Sequence, residues 1–188
     1  ELNVKLIEPK QEVKIYQGNL KFIISKNTMS IINQIGLADY IAGVVEAESG
    51  SKAEDEYYKN QAVICRTYAL KNPEKHKSEG FNLCDGVHCQ AYKGKSTSNP
   101  NIQKAVKKTN NLVIIDKDGE LISSVFSANC GGQTNNSENV WTSKVSYLRS
   151  FQDEFCTDQK QANWNKTIEK RDFIKFLKEK NINIADTI

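Results

Sequence analysis

Hydrophobic residues after position 40 recur at intervals of three and four, which is the spacing of one face of an α-helix. Ile41, Val44 and Val45 form this stripe, and the same intervals lead on to Glu48, whereas Glu46 falls on the opposite face. A carboxyl group that continues an apolar stripe loses hydration of its charged form, so we expect the pKa of Glu48 to rise. Glu48 is therefore a candidate general acid, although a helix-end residue turning into solvent fits the same pattern.

The residues that follow predict a break and then a second helix. Gly50 suits the left-handed position that ends a helix, and Ser51 with Glu54 three residues later is a capping-box pattern. Lys59 and Arg66 share one stripe of the second helix, close enough for both cationic groups to bind one anionic or polyhydroxylated ligand. Alternatively, Arg66 is the charged end of a buried helix and pairs with a carboxylate.

Before this helical pair, apolar and polar residues alternate with the period of β-strands. The alternation covers residues 2–6, 13–15 and 20–24. Gly18 and Asn19 mark a turn between the second and third of these segments. The N-terminal part therefore predicts a small β-meander that leads into the helices.

After the helical pair, the pattern predicts a loop, a short helix, a hairpin and a last helix. Residues 71–99 form the loop, residues 100–109 a basic helix, and residues 112–127 the hairpin. Residues 167–180 form an amphipathic helix that we expect to pack on the core. The fold class is therefore α+β, in a single domain over residues 1–188, with the active site on the helical pair and small antiparallel β-sheets beside it.

The long loop has the composition of a metal site. His76, Cys84, His88 and Cys89 include both histidines and two of the five cysteines of the chain. These ligands predict tetrahedral zinc, which would order a loop that has little hydrophobic core, and four protein ligands would make the zinc structural. The alternative is a disulfide between Cys84 and Cys89.

Charge and length exclude some classes of function. The formal charge of +3 is small, and no basic run with interleaved aromatic residues indicates a nucleic-acid-binding protein. A weakly basic surface is compatible with an anionic polymer such as cell-wall glycan. No stretch approaches the roughly 18 apolar residues that a membrane span requires, and the chain opens directly on Glu1, so we expect a targeting segment to precede it.

Five cysteines are many for a protein of the reduced cytosol. Cys65 lies inside an apolar helical run and is the candidate for an inert buried thiol. Cys130 and Cys156 remain, and a disulfide between them is plausible in an exported protein.

A glycine-containing segment, residues 129–134, follows the predicted hairpin. The adjacent Gly131 and Gly132 allow backbone amides to approach a ligand closely, or they simply allow a sharp turn. Trp141 and Tyr147 come next and are either platforms on which sugars stack or ordinary packing residues.

Taken in order, these motifs resemble the stage II sporulation protein D family over nearly the whole chain. The matching blocks are residues 43–48, 59–63, 66–69, 84–85, 88–90 with Tyr92 and Gly94, 131–134, 140–141 and 147–148. The chain departs from many relatives at Ser49-Gly50, where they have Met-Pro, at Cys65, where they have Ala, and at Gln133, where they have His.

The resemblance implies a peptidoglycan lytic transglycosylase of endospore-forming bacteria that acts during engulfment. Such enzymes cut glycan strands from which stem peptides have been removed, and they work with stage II sporulation proteins P and M. It also implies an N-terminal membrane anchor before Glu1 and a location on the extracytoplasmic face of the mother-cell membrane. The family also contains amidase enhancers, so a non-catalytic glycan-binding module is the alternative function.

By the same resemblance, Glu48 corresponds to the catalytic glutamate. The implied substrate-binding residues are Lys59, Arg66, Gln90, Tyr92, Gly131, Gly132, Thr134 and Tyr147. A glycoside hydrolase would ordinarily need a second carboxylate about 5–10 Å from the first. No motif supplies an obvious partner for Glu48, which favours cleavage by internal cyclisation. A catalytic zinc hydrolase is a further alternative.

Overall fold

Three helices enclose the main hydrophobic core. The computed structural model describes residues 2–5, 13–25 and 28–182. The three helices are α1 (Leu37–Ser49), α2 (Asp55–Lys71) and α3 (Pro100–Lys108). Ile41, Val44 and Val45 of α1 are completely buried, together with Tyr58 of α2 and Ile102 of α3. The apolar stripe in the sequence therefore predicted the buried face of α1, and all three helices are confirmed.

Two helix ends follow the predicted local chemistry. Gly50 ends α1 with φ of +69°, and its N–H donates to the carbonyl of Glu46 at 2.9 Å. Asn99 precedes α3, and its side-chain oxygen accepts the N–H of Asn101 at 2.9 Å. These caps fix where α1 stops and where α3 starts.

The predicted capping box at Ser51 and Glu54 is wrong. Helix α2 begins at Asp55, and the side chain of the preceding N-cap residue, Glu54, makes no capping hydrogen bond. Instead, the buried hydroxyl of Tyr58 accepts the N–H of Ala53 at 2.9 Å. This hydrogen bond attaches the linker, residues 51–53, to α2.

The N-terminal strands form two separate antiparallel pairs, so the predicted meander is wrong in its connectivity. The strands are β1 (Leu2–Lys5), β2 (Val13–Tyr16), β3 (Asn19–Ser25) and β4 (Thr28–Gln34). Among the described strands, β1 pairs only with β2, and β3 only with β4. The chain turns at Gly18, where φ is +78° and a Cβ atom would lie 2.1 Å from the Gln34 carbonyl oxygen.

The hairpin predicted over residues 112–127 keeps its turn but not its strands. The N–H of Asp116 donates to the carbonyl of Glu120 at 2.8 Å, and pairing beyond the turn is an isolated bridge. The two arms bind α2 instead. The N–H of Ile114 donates to the Thr67 hydroxyl at 3.0 Å, and the Ser124 hydroxyl donates to the Ile64 carbonyl at 2.9 Å.

The chain divides into two compact units, Glu1–Phe126 and Ser127–Ile188. The second contains the short helix α4 (Ser137–Val140) and the helix α5 (Lys170–Glu179). None of the residues of α5 is buried, so the expectation that it packs on a core is wrong. The single domain over residues 1–188 stays a prediction.

Helices and small antiparallel sheets occur together, as the α+β class requires. Within the described part of the chain, no helix has both the length and the apolar character needed to cross a membrane.

Candidate functional site

Glu48 lies in the last turn of α1 and is partly buried. The N–H of Ala91 donates to its Oε1 atom at 2.7 Å. Burial, with the neighbouring Glu48 carboxylate, raises the pKa of the Cys65 thiol to about 12. The Glu48 carboxyl therefore lies between α2 and the loop that contains Ala91, with one oxygen fixed by a backbone donor.

Glu46 lies on the opposite face of α1 and has a different environment. Its two carboxylate oxygens accept four hydrogen bonds: from the Ser96 hydroxyl, from the Thr97 N–H, and from both the N–H and the hydroxyl of Ser98, at 2.7–3.3 Å. Burial alone would raise the pKa of Glu46, but these donors outweigh it and hold the pKa below its ordinary value. Glu46 thus anchors residues 96–98 to α1.

Arg66 is buried, with 2% of its surface exposed. Its guanidinium donates to the carbonyls of Thr109, Leu112 and Val106 at 2.8, 3.1 and 3.1 Å. Val106 and Thr109 lie at the C-terminal end of α3, where carbonyls lack partners within the helix, and Leu112 follows shortly after it. The contacts that Arg66 makes in the structure are therefore those of a helix cap, and a contact with substrate stays a prediction.

Lys59 is on the same helix as Arg66, but its side chain has a different binding partner. Its ammonium pairs with the carboxylate of Glu56, one turn earlier in α2. The cationic groups of Lys59 and Arg66 thus have separate partners, and the pair does not form one binding group in this structure.

Gln90 and Tyr92 flank Ala91 and are buried, with 4% and 7% of their surfaces exposed. The Gln90 side chain donates to the Cys65 carbonyl at 3.3 Å, and the Tyr92 hydroxyl donates to Asn33 Oδ1 at 2.7 Å. Burial raises the pKa of Tyr92 to about 12. Both side chains therefore fix the segment whose backbone N–H reaches Glu48.

Ala91 is the site residue that sequence reasoning missed. Its contribution is a backbone N–H, which any residue except proline would supply, so no side-chain pattern marks it. The one available signal was its position between Gln90 and Tyr92, two residues that the family motif already included.

The four residues predicted to bind a metal converge in the structure. The donor atoms of His76, Cys84, His88 and Cys89 all lie within 4.8 Å of one another. Cys89 Sγ is 3.3 Å from His76 Nε2 and 3.7 Å from His88 Nδ1, and Cys84 Sγ is 3.8 Å from His88 Nδ1. The group can hold a metal ion.

His76 also has an outer partner of the kind common in metal sites. Its Nδ1 atom lies 2.5 Å from the Glu79 carboxylate, and this hydrogen bond raises the pKa of His76. A carboxylate on one ring nitrogen directs the other nitrogen towards a metal. Cys89 is two residues before Ala91, so the loop that carries the cluster also carries the donor to Glu48.

The remaining predicted site residues lie in the second unit. Gly131 and Gly132 have φ of +70° and +98°, conformations that favour glycine. The Thr134 hydroxyl accepts the N–H of Phe151 at 3.0 Å, and Tyr147 is 36% exposed. Within this unit, the two glycines and Thr134 form one strand-like segment against residues 151–153.

A cleft of about 390 Å³ lies on the Glu46 side of α1. Glu46, Thr97 and Ser98 line it, together with Lys14 and Lys93. Glu48 does not belong to its lining. This cleft is therefore polar and separate from the predicted general acid.

Residues 25–115 match the family model described as stage II sporulation protein. This stretch contains all three helices of the core and the four candidate metal ligands. An uncharacterized protein of Brachyspira hyodysenteriae is 34% identical over 145 residues, which are 77% of this chain and 39% of that protein.

Two relatives from Bacillus subtilis have names that refer to function. Its amidase enhancer is 33% identical over 131 residues, which are 70% of this chain and 17% of the relative. Its stage II sporulation protein D is 27% identical over 151 residues, which are 72% of this chain and 43% of the relative. The chain therefore spans less than half the length of each relative.

Proposed function

Because the chain belongs to the stage II sporulation protein D family, we propose that it is a peptidoglycan lytic transglycosylase that acts during sporulation. It would cleave the bond between N-acetylmuramic acid and N-acetylglucosamine in peptide-stripped strands. The observation that carries this proposal is the environment of Glu48. One carboxylate oxygen is fixed by the Ala91 N–H, and the side chain is only partly buried.

In this mechanism, Glu48 does the work of both acid and base. Its proton passes to the glycosidic oxygen as the bond from that oxygen to the anomeric carbon of N-acetylmuramic acid breaks. The 6-hydroxyl of the same sugar then attacks the anomeric carbon, and its proton returns to Glu48. The product is a 1,6-anhydro ring, and no water is consumed.

The surroundings of Glu48 support cyclisation over hydrolysis. A hydrolase of the usual kind needs a second carboxylate about 5–10 Å away. Glu46 is close in sequence, but it lies on the other face of α1 and its oxygens already accept four hydrogen bonds. Glu46 is therefore a poor second catalytic carboxylate.

Other residues would bind and position the glycan. We assign direct contacts to Lys59, Thr134, Tyr147 and the amides of Gly131 and Gly132. Arg66, Gln90 and Tyr92 would act indirectly, because each is buried and bonded to other parts of the protein. Arg66 would keep α3 in place, and the other two would keep the Ala91 N–H directed at Glu48.

The His76, Cys84, His88 and Cys89 cluster would bind zinc in a structural role. A tetrahedral zinc with bonds of about 2.3 Å to sulfur and about 2.0 Å to nitrogen places neighbouring donors about 3.5 Å apart. The observed sulfur–nitrogen distances of 3.3, 3.7 and 3.8 Å bracket that value. Zinc would fix the loop that contains Ala91, and it would take no part in the bond cleavage.

Peptidoglycan strands would be the principal partner. By family membership, we further propose interaction with stage II sporulation proteins P and M. We also propose a position on the extracytoplasmic face of the mother-cell membrane, through an anchor outside this sequence. Sequential action would follow from the chemistry, because an amidase must remove stem peptides before this enzyme meets its substrate.

Product analysis tests the reaction. Purified peptide-free glycan strands are incubated with wild-type protein and with Glu48→Gln, and the ends are identified by mass spectrometry. The expected result is anhydro ends, each one water lighter than an ordinary reducing end, from the wild type alone. Ordinary reducing ends would identify a hydrolase instead.

A non-catalytic glycan-binding module is the second candidate, favoured by the similarity to an amidase enhancer. It predicts no new ends with either protein and equal binding of strands by both. A co-sedimentation assay with insoluble glycan separates the two candidates, because the transglycosylase proposal requires binding to persist while cleavage stops in Glu48→Gln.

A further inference from the structure

We propose that Cys130, Asp153 and Cys156 form a second zinc site, in the second unit of the chain. Their donor atoms lie within 4.8 Å of one another, and all three residues are partly buried. Two thiolates and a carboxylate are ligands that zinc accepts. This site shares no residue with the His76–Cys89 cluster and does not depend on the proposed reaction.

The observed separation of two donors fits a shared metal. Cys130 Sγ lies 3.3 Å from Asp153 Oδ2. Zinc bonds of about 2.3 Å to sulfur and about 2.0 Å to oxygen place tetrahedral neighbours about 3.5 Å apart. A metal between these atoms therefore requires only a small displacement of either side chain.

A backbone donor already orients the carboxylate ligand. The N–H of Phe155 donates to Asp153 Oδ1 at 3.2 Å, which leaves Oδ2 directed at Cys130. Such outer hydrogen bonds to ligating carboxylates are typical of metal sites, because they fix the direction of the donor atoms.

The two segments that carry the ligands are bound to each other independently of a metal. The Asn129 side chain donates to the Cys156 carbonyl at 3.0 Å and accepts the Gly131 N–H at 2.7 Å. The N–H of Asp153 donates to the Gly132 carbonyl at 2.9 Å. The ligands are thus preorganised, which lowers the conformational cost of binding an ion.

A disulfide between Cys130 and Cys156 explains the arrangement of the three residues less completely than a metal does. It would use the two sulfurs and remove the thiol proton that Cys130 donates to Asp153. The Oδ2 atom, which the Phe155 N–H leaves directed at this point, would then lose its donor. A metal uses all three residues, and with three protein ligands it would keep a fourth position for water or an anionic oxygen.

Metal analysis of the full chain tests the site. The protein is purified with a non-chelating reductant, loaded with zinc and dialysed, and zinc per chain is measured by plasma mass spectrometry. We expect two zinc ions in wild type and one in the double variant Cys130→Ser, Cys156→Ser. Asp153→Asn should also lose the second ion, whereas the control Cys65→Ala should retain both.

A measurement on wild type alone covers the case in which the double variant does not fold. Zinc should slow alkylation of Cys130 and Cys156 at least tenfold, and a chelator should restore the rate. One zinc ion per chain in zinc-loaded wild type that the double variant Cys130→Ser, Cys156→Ser retains would overturn the proposal. So would a peptide in which Cys130 and Cys156 are joined by a disulfide after purification under reductant.

Discussion

The two faces of helix α1 carry glutamates only two positions apart, and the two carboxylates are bound very differently. Glu46 accepts four hydrogen bonds from residues 96–98. Glu48 accepts the N–H of Ala91 on one of its oxygens. A carboxylate whose lone pairs are all engaged serves the fold, whereas one with a single fixed oxygen can exchange a proton with a ligand.

The loops that contact the two faces also differ in what fixes them. Residues 96–98 lead straight into α3, whose far end is capped by Arg66. Ala91 follows the cluster that contains Cys89. The Glu46 face thus depends on helix packing and hydrogen bonds, and the Glu48 face depends on a loop that carries the candidate metal ligands. Under the proposed function, the loops that contact the two glutamates assign Glu46 to stability and Glu48 to chemistry.

The largest expected effect is the loss of cleavage in Glu48→Gln. Removal of a positioned general acid lowers rates by about 10²–10⁴-fold. Rates of glycan-end formation should fall by that factor, with the melting temperature nearly unchanged. Glu46→Gln is the matched control, since it makes the same chemical change two positions away, and its rate per folded molecule should stay within about threefold of wild type. Equal losses of rate in Glu48→Gln and Glu46→Gln would contradict the assignment of the two glutamates to different roles.

The next effect concerns the cap that fixes α3. Arg66→Met removes three hydrogen bonds to buried or partly buried carbonyls. We expect the free energy of unfolding to fall by about 3 kcal/mol, because hydrogen bonds from a charged donor contribute about 1.5–3 kcal/mol each. The loss is less than their sum, since the Thr109 carbonyl keeps a second donor, the N–H of Leu112. Chemical denaturation measures this.

Lys59→Met is the control for Arg66→Met. Its ion pair with Glu56 lies on the surface of α2, and such pairs contribute about 0–1 kcal/mol. A loss in Lys59→Met as large as that in Arg66→Met would contradict the assignment of Arg66 as the buried cap.

Removal of the metal should change amide hydrogen exchange in the loop on the Glu48 face of α1 but not in the loop on the Glu46 face. After chelation, the Ala91 amide should exchange its hydrogen about tenfold faster or more, because its loop loses its anchor. The Ser98 amide, bonded to Glu46, should change by less than about twofold. Hydrogen exchange followed by NMR resolves both amides. Equal acceleration of the two amides would show that the loops on the two faces are not stabilised separately.

The smallest effect is the contribution of Glu46 to the pH dependence of stability. Its folded-state pKa lies below the ordinary value of 4.5, so its ionised form stabilises the fold above that value. At pH 7, Glu46→Gln should be about 1–2 kcal/mol less stable than wild type. The difference should shrink as pH falls below 4.5 and through the lowered folded-state pKa, which urea denaturation at several pH values can follow.

Much of the fold was predictable because it depends on local chemistry. The three-and-four spacing of Ile41, Val44 and Val45 predicted which face of α1 is buried, and Asn99 before Pro100 predicted the start of α3. The convergence of the metal cluster was predictable from composition, since both histidines and two cysteines lie within one loop of little hydrophobic content.

The parts that could not be predicted depend on contacts between distant segments. Arg66 binds carbonyls 40–46 positions later in the chain. The Thr67 hydroxyl accepts the N–H of Ile114, within the predicted strand, whose pairing across the turn is an isolated bridge. Neither partner carries a side-chain signal, because a backbone N–H or carbonyl belongs to almost every residue.

The double attachment of α3 has a consequence for how the chain opens and closes. With nine residues, α3 is shorter than the roughly 12–15 that an isolated helix needs to persist in water. Glu46 secures the segment just before it and Arg66 its last turn, so neither end can fray alone without losing bonds to another helix. We therefore expect residues 96–112 to detach and dock together as one cooperative foldon, late in folding and only after α1 and α2 have packed.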